Sequence, residues 1–288
     1  METPYLHDIW ARVDNLDLNT ISCLGIQKVA SLKVNQLPEF ERVDTNSIVC
    51  LNLDPITLEV ASSDNRSYRY NWTKDGLDYP LNIAGEDAQV LVYEGGTYEV
   101  NATTTDGTAC SKKIRMVLVS SEIATLTQDD LTVIDLEGDT GSVEINTLNL
   151  GVGDYEFALD DPFGPFQDDP YFENILPGIY KVYIQDKNSC GIAEIETSIL
   201  GHMKFFSPNG DGINDFWKIL GVSENFQPNS RVYVYDRNGK LLVDLDPLGV
   251  GWDGTYNGFQ LPQDDYWFRV FFDNGKERIG HFSLLRPE

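Results

Sequence analysis

The stretch that decides the fold lies near the C-terminus and reads Lys204-Phe205-Phe206-Ser207-Pro208-Asn209-Gly210-Asp211-Gly212-Ile213-Asn214-Asp215-Phe216-Trp217. It is a polar loop between two pairs of aromatic residues. Asn and Asp side chains bond their own backbone in turns, and Gly supplies the positive φ angles that such turns need. The alternative is a Ca²⁺ site with Asn209, Asp211 and Asp215 as ligands, although the run lacks the ligand order and terminal Glu of an EF-hand.

Short alternating segments follow this loop to the end of the chain. Apolar and polar residues alternate over 231–242 across an Asn238-Gly239 step, which predicts a β-hairpin. Residues 251–258 contain two further turn signals around aromatic residues. The runs at 266–272 and 280–285 have the pattern of closing strands, so most of the aromatic residues here are expected to be core and strand-pair residues.

In this order and spacing, the motifs resemble the type B C-terminal sorting domain of the Bacteroidota type IX secretion system, also described as the gliding motility-associated C-terminal domain. The resemblance covers residues 203–288 and uses several separate motifs. It implies a targeting signal: the folded domain directs the protein attached to it across the outer membrane to the cell surface or the extracellular space. It also implies two partners, the outer-membrane translocon and a PorP/SprF-like outer-membrane protein.

The resemblance makes the motif residues candidates for recognition by the translocon. These candidates are Phe205, Phe206, Pro208, Asn209, Gly210, Asp211, Gly212, Asn214, Asp215, Trp217, Trp252, Asp253 and Gly254.

The pattern in the rest of the chain predicts an all-β protein. Short strand-like runs dominate it, and segments with helical periodicity are scarce. We expect tandem Ig-like β-sandwich modules that end in a β-sandwich sorting domain. Such Ig-like or PKD-like repeats resemble those that precede sorting domains in gliding-motility adhesins. The expected boundaries are 1–37 for the C-terminal part of a truncated Ig-like module, 38–120 for an Ig-like module, 121–202 for an acidic Ig-like module and 203–288 for the sorting domain.

Two cysteines of the second module suggest a disulfide. Cys50 and Cys110 lie on either side of Trp72 in the sequence, and the order Cys, Trp, Cys suits an Ig-like sandwich held by one disulfide. A Cys50–Cys110 bond would indicate an oxidising or extracellular compartment.

The charge distribution argues against nucleic acid and anionic membranes as partners. The net charge is −25, and no Lys or Arg occurs between Arg115 and Lys181. Such a surface repels phosphate backbones and acidic lipid head groups. We expect a monomer that does not itself insert into the membrane.

The acidic third module contains an aromatic and carboxylate loop at 160–170. Clustered carboxylates suit Ca²⁺, so the alternative function is a Ca²⁺-dependent adhesive or carbohydrate-binding module. The simpler interpretation is a solvated turn region made soluble by Asp and stiffened by Pro.

No catalytic motif emerges from the sequence. The three histidines, His7, His202 and His281, are isolated, and neither a Gly-x-Ser-x-Gly nor a His-Glu-x-x-His motif is present. Met1 is not followed by a secretory signal pattern, so we expect a piece of a longer protein. The lack of catalytic motifs predicts a non-enzymatic protein, and the resemblance implies the C-terminal secretion signal region of a large surface or secreted protein, an adhesin.

Overall fold

The computed structural model describes residues 6–13, 25–83, 87–135 and 139–286. Within these ranges nearly all regular structure is β-strand, and the helical part consists of two short 3₁₀ helices, Gln128–Asp130 and Thr147–Asn149. The predicted all-β fold class is thus confirmed. The chain divides into two compact units, residues 1–121 and 122–288.

The first unit begins with an antiparallel hairpin and continues as a β-sandwich. Its strands are β1 (Leu6–Val13), β2 (Gly25–Lys33), β3 (Phe40–Arg42), β4 (Ile48–Cys50), β5 (Ile56–Ser62), β6 (Tyr68–Lys74), β7 (Leu77–Asp78), β8 (Gln89–Val92), β9 (Gly96–Thr104) and β10 (Ser111–Ser121). β1 pairs with β2, while the sandwich has one sheet in the order β3-β5-β8 and another in the order β4-β10-β9-β6-β7. Residues 1–5 and 14–24 lie outside the described residues, so the truncated module at 1–37 stays a prediction.

Strand alternation builds the core of this sandwich. Along β9, Tyr98, Val100 and Ala102 are buried while the residues between them are partly exposed, because successive side chains point to opposite faces. Leu58 from the three-stranded sheet and Trp72 from the five-stranded sheet belong to the same buried cluster. Two sheets that share one core in this way confirm the predicted Ig-like sandwich.

The predicted Cys50–Cys110 disulfide is wrong. Cys110 is a free thiol, and Cys50 is a disulfide-bonded cysteine. Cys50 pairs with Ser121 at the last residue of β10, whereas Cys110 immediately precedes the first, Ser111. Because a strand rises about 3.3 Å per residue, β10 holds the two cysteines roughly 30 Å apart. A disulfide requires Cα atoms within about 7 Å of each other.

The second unit starts with a smaller sandwich. Its strands are β11 (Leu131–Ile134), β12 (Gly141–Ile145), β13 (Tyr155–Leu159), β14 (Tyr171–Ile175), β15 (Gly178–Asp186) and β16 (Ile192–Ile199). They form two three-stranded sheets, β11-β12-β14 and β13-β15-β16. Val143 from the first sheet and Phe157, Val182 and Ile184 from the second lie in one buried cluster.

The C-terminal part of this unit is built on one long sheet. Its strands are β17 (Gly201–His202), β18 (Phe205–Phe206), β19 (Ile219–Leu220), β20 (Arg231–Tyr235), β21 (Leu241–Leu245), β22 (Thr255–Tyr256), β23 (Phe259–Gln260), β24 (Asp264–Phe271) and β25 (Glu277–Leu284). The main sheet has the order β18-β25-β24-β20-β21, and β17 pairs with β19. The predicted hairpin is confirmed as β20 and β21, joined by a turn at Asn238-Gly239.

Candidate recognition surface of the C-terminal domain

The loop between β18 and Trp217 is folded around the carboxylate of Asp215. Its Oδ1 accepts hydrogen bonds from the backbone N–H groups of Asn209 (3.0 Å) and Gly210 (2.7 Å). Its Oδ2 accepts one from the N–H of Gly212 at 2.8 Å. One side chain therefore binds three backbone donors and fixes the conformation of the loop.

Asn209 and Asp211 form two smaller turns within the same loop. The N–H of Asp211 donates to Asn209 Oδ1 at 3.0 Å, and the N–H of Ile213 donates to Asp211 Oδ1 at 2.7 Å. Gly210 and Gly212 adopt φ angles of 79° and 84°, which residues with a Cβ rarely adopt. These bonds confirm the predicted Asx turns. A Ca²⁺ site formed by Asn209, Asp211 and Asp215 stays a prediction.

The backbone donors also set the protonation of Asp215. Hydrogen bonds from the N–H groups of Gly210 and Gly212 favour the ionised carboxylate and hold the pKa of Asp215 below its ordinary value. Slight desolvation acts in the opposite direction and is outweighed. The loop thus keeps a fixed negative charge at its base at neutral pH.

Beneath the loop, Trp217 anchors the segment in the aromatic core. Its ring stacks on Phe282 of β25 with centroids 3.9 Å apart and an interplanar angle of 14°. Its indole N–H donates to the carbonyl of Met203 at 2.7 Å. Trp217 and Trp252 also exchange two backbone hydrogen bonds, 2.9 Å and 2.8 Å long. The two predicted motifs around these tryptophans therefore lie side by side.

The second motif is a turn closed by Asp253. Asp253 Oδ1 accepts hydrogen bonds from the backbone N–H (2.9 Å) and hydroxyl (2.8 Å) of Thr255. The carbonyl of Gly254 accepts the guanidinium of Arg286 at 3.2 Å, and Arg286 also donates to the carbonyl of Leu261 at 2.9 Å. Sequence reasoning missed Arg286, because a single basic residue near the C-terminus carries no motif.

The structure divides the thirteen recognition candidates by exposure. Phe206, Trp217, Trp252 and Gly254 are buried; Pro208 and Asp215 are half-buried; Phe205, Asn209, Gly210, Asp211, Gly212, Asn214 and Asp253 are exposed. The buried members hold the domain together, so a partner that binds the folded domain can contact only the others. Ile213 and Phe216, which were not among the candidates, are also exposed in this loop.

The acidic loop of the third module folds back on its own sheet. Phe157 and Gln167 exchange two backbone hydrogen bonds, 2.8 Å and 2.9 Å long. Lys187 forms ion pairs with Asp168 (2.6 Å) and Asp154 (3.1 Å). Across the described residues, no group of three or more His, Cys, Asp or Glu side chains is arranged to hold a metal ion.

Comparison with known protein families identifies the C-terminal domain. Residues 200–284 match the family model described as the CHU_C type IX secretion signal domain. The C-terminal domain is a type IX secretion signal. A type IX signal directs export across the outer membrane, to the cell surface or the extracellular space, and it does so through contact with the secretion machinery.

Solved structures similar to the chain are multi-domain β-proteins. Immunoglobulin domains 1–5 of Sidekick-1 share 12% identity over 88% of this chain and 60% of that chain, with a TM-score of 0.37. The insect immune protein hemolin shares 12% identity over 87% and 77%, with a TM-score of 0.32. The fibronectin(III)-like modules of CbhA from Clostridium thermocellum share 9% over 56% and 93%, with a TM-score of 0.28. At these low scores, the fold assignment rests on the sheets described above.

A comparison of this chain with curated protein sequences found no match. Among the described residues, none of the helices has the length and apolar character needed to cross a membrane.

Proposed function

We propose that the chain is the C-terminal export region of a large surface adhesin from a gliding Bacteroidota bacterium. In this proposal, the type IX translocon and a PorP/SprF-like outer-membrane protein bind the folded C-terminal domain. The chain has no catalytic role here, since secretion-signal and Ig-like domains are typically non-catalytic.

The observation that carries the proposal is the combination of the family match with a pre-folded exposed loop. Residues 209–214 are exposed, yet their backbone is fixed by the carboxylate of Asp215. A surface whose shape is set before binding loses little conformational entropy when a partner binds it. Such a loop suits recognition of a folded domain rather than of an unfolded tail.

The test is export of a fluorescent reporter fused to residues 203–288 or to residues 121–288. Each fusion is expressed in a Bacteroidota host with and without a working type IX system. We expect the reporter outside the cell only in the host with a working system. Comparison of the two fusions shows whether the acidic third module is needed. Retention of both fusions in the periplasm of the competent host would contradict the proposal.

A second candidate function is adhesion through the loop at 160–170, favoured by the position of Phe163. This side chain is 93% exposed, and its N–H donates to Asp161 Oδ1 at 2.9 Å in an Asx turn. An exposed aromatic residue whose backbone is held in a turn is a typical anchor for a partner. If the adhesion requires Ca²⁺, a cation at a hundredfold excess over its dissociation constant should stabilise the chain by about 2.7 kcal/mol. Thermal unfolding with Ca²⁺ and with a chelator measures this, and equal melting temperatures exclude the cation-dependent form.

A further inference from the structure

The outer edge of the C-terminal sheet is uncovered. β21 is the last strand of the order β18-β25-β24-β20-β21, and it pairs with β20 alone. Among the described residues, no hydrogen bond reaches the backbone of β21 from its other side. An edge of this kind presents a row of unpaired N–H and C=O groups to solvent.

Two other strand edges of this protein are protected. At the edge of the first sandwich, the Asn82 side chain imitates a neighbouring strand: its Nδ2 donates to the carbonyl of Leu91 (2.7 Å), and its Oδ1 accepts the N–H of Leu91 (2.8 Å). In the third module, Gln167 covers β13 through its two backbone bonds with Phe157. The bare edge of β21 therefore contrasts with these two covered edges.

Exposed apolar side chains occur on β21 and in the segment that follows it in the chain. Leu241 on β21 and Leu248 after it are exposed, and Val250 has an exposed fraction of 75%. Exposed edge strands normally carry charges that prevent pairing. On β21 the only charge is Asp244, which forms no ion pair among the described residues. Lys240, just before the strand, places its ammonium 4.2 Å from the centre of the Tyr256 ring.

We propose that β21 is a docking edge that pairs with an extended strand of the secretion machinery, and that this strand places a basic residue opposite Asp244. The inference rests on the proposed function and names the surface that the machinery binds. Main-chain hydrogen bonds supply the affinity in such strand addition, while the flanking side chains supply the specificity.

A second copy of the chain fits this edge poorly. A symmetric β21–β21 pair would bring the Asp244 carboxylates of the two copies onto the same pair of strands, and like charges on paired strands are destabilising. The net charge of −25 adds repulsion between two copies. Charge complementarity therefore favours a basic strand from another protein.

The experiment compares charge-changing variants of the whole 288-residue chain, each fused behind a signal peptide and a reporter, in a type IX-competent host. Leu241→Lys and Asp244→Lys alter the edge, while Ile279→Lys is the matched control. Ile279 is exposed on β25, three strands away from β21 in the same sheet, where the pairing of β25 with β18 reaches only Ser283 and Leu284. We expect export to fall roughly fivefold to tenfold for each edge variant and to stay at the wild-type level for the control. Melting temperatures of the purified variants should match that of the wild type.

Three outcomes would overturn the inference. Wild-type export of both edge variants would show that β21 is not contacted. An equal loss in Ile279→Lys would show a general effect of surface charge. A wild-type dimer in light scattering that Asp244→Lys converts to a monomer would make a second copy the occupant. If the wild-type chain itself is not exported, the proposed function fails, and this result is distinct from the other three.

Discussion

At the scale of single residues, Asp215 determines both the conformation and the charge of the Gly-rich loop in the C-terminal domain. Its carboxylate is the acceptor that allows the Gly-rich loop to hold one conformation. Because the pKa of Asp215 is lowered in the folded state, this residue stabilises the fold above the pKa of the unfolded chain, near 4. That contribution is lost as the pH falls through the lower, folded-state pKa.

Asp215→Asn should therefore change how stability depends on pH. The amide has one acceptor oxygen instead of two, so we expect a lower melting temperature at neutral pH. As the pH falls below about 4, the wild type should lose melting temperature more steeply than the variant. Calorimetry or circular dichroism across this range measures both slopes. Parallel curves for the two proteins would contradict the assigned role of Asp215.

A second prediction at this scale concerns the cysteines. Treatment of the native, unreduced chain with iodoacetamide should modify Cys110 and leave Cys50 unmodified, because the first is a free thiol and the second is disulfide-bonded. Peptide mass spectrometry distinguishes the two. A disulfide-linked peptide containing both Cys50 and Cys110 would restore the pairing that the sequence suggested.

These two sites show what sequence alone can supply at the residue scale. The Asx turns were predictable, because Asn, Asp and Gly have strong local preferences that do not depend on the rest of the chain. The disulfide was not, because pairing depends on which end of β10 each cysteine occupies. That position follows from the parallel pairing of β4 with β10, a contact between residues distant in sequence.

At the scale of elements, β24 and β25 form the centre on which the loop motifs rest. Phe268, Val270, Phe282 and Leu284 point into the core from these two strands. Trp217 closes the core from the opposite side by stacking on Phe282. The strands and their hairpins were predictable from alternation. The division of the aromatic residues into buried and exposed sets required the register.

The aromatic core predicts a sharp difference between two tryptophans. Trp217→Ala should destabilise the C-terminal domain by roughly 3–5 kcal/mol, because it leaves a large cavity in a fully buried site. Trp267 is the matched control: it lies on β24 but is 38% exposed, so Trp267→Ala should cost roughly 1 kcal/mol or less. Chemical denaturation of both variants measures the difference. Equal losses would show that Trp217 does not occupy the core position described.

At the scale of the whole molecule, the second unit holds two separate cores joined by a short buried connection. Ile199 belongs to the core of the third module, and the next residue, Leu200, belongs to that of the type IX signal. The carboxylate of Asp135, only 5% exposed, accepts the N–H of Leu200 (3.3 Å) and the ammonium of Lys276 (3.0 Å). The sequence suggested a module boundary between residues 202 and 203, but it did not reveal this bridge, because Asp135, Leu200 and Lys276 lie far apart along the chain.

The bridge predicts that the two halves of the second unit depend on each other through Asp135. Asp135→Ala leaves the N–H of Leu200 without its acceptor and Lys276 without its ion pair, which should cost roughly 1–3 kcal/mol. The control is Asp139→Ala, since Asp139 pairs with Lys204 across the same two halves but both side chains are largely exposed. Loss of such an exposed pair costs at most about 1 kcal/mol.

Thermal unfolding of the full chain compares the Asp135→Ala and Asp139→Ala variants. Because residues 122–288 form one compact unit, Asp135→Ala should lower the unfolding transition of this unit and leave that of residues 1–121 unchanged. A shift in both transitions, or in neither, would show that Asp135 does not connect the third module to the export signal.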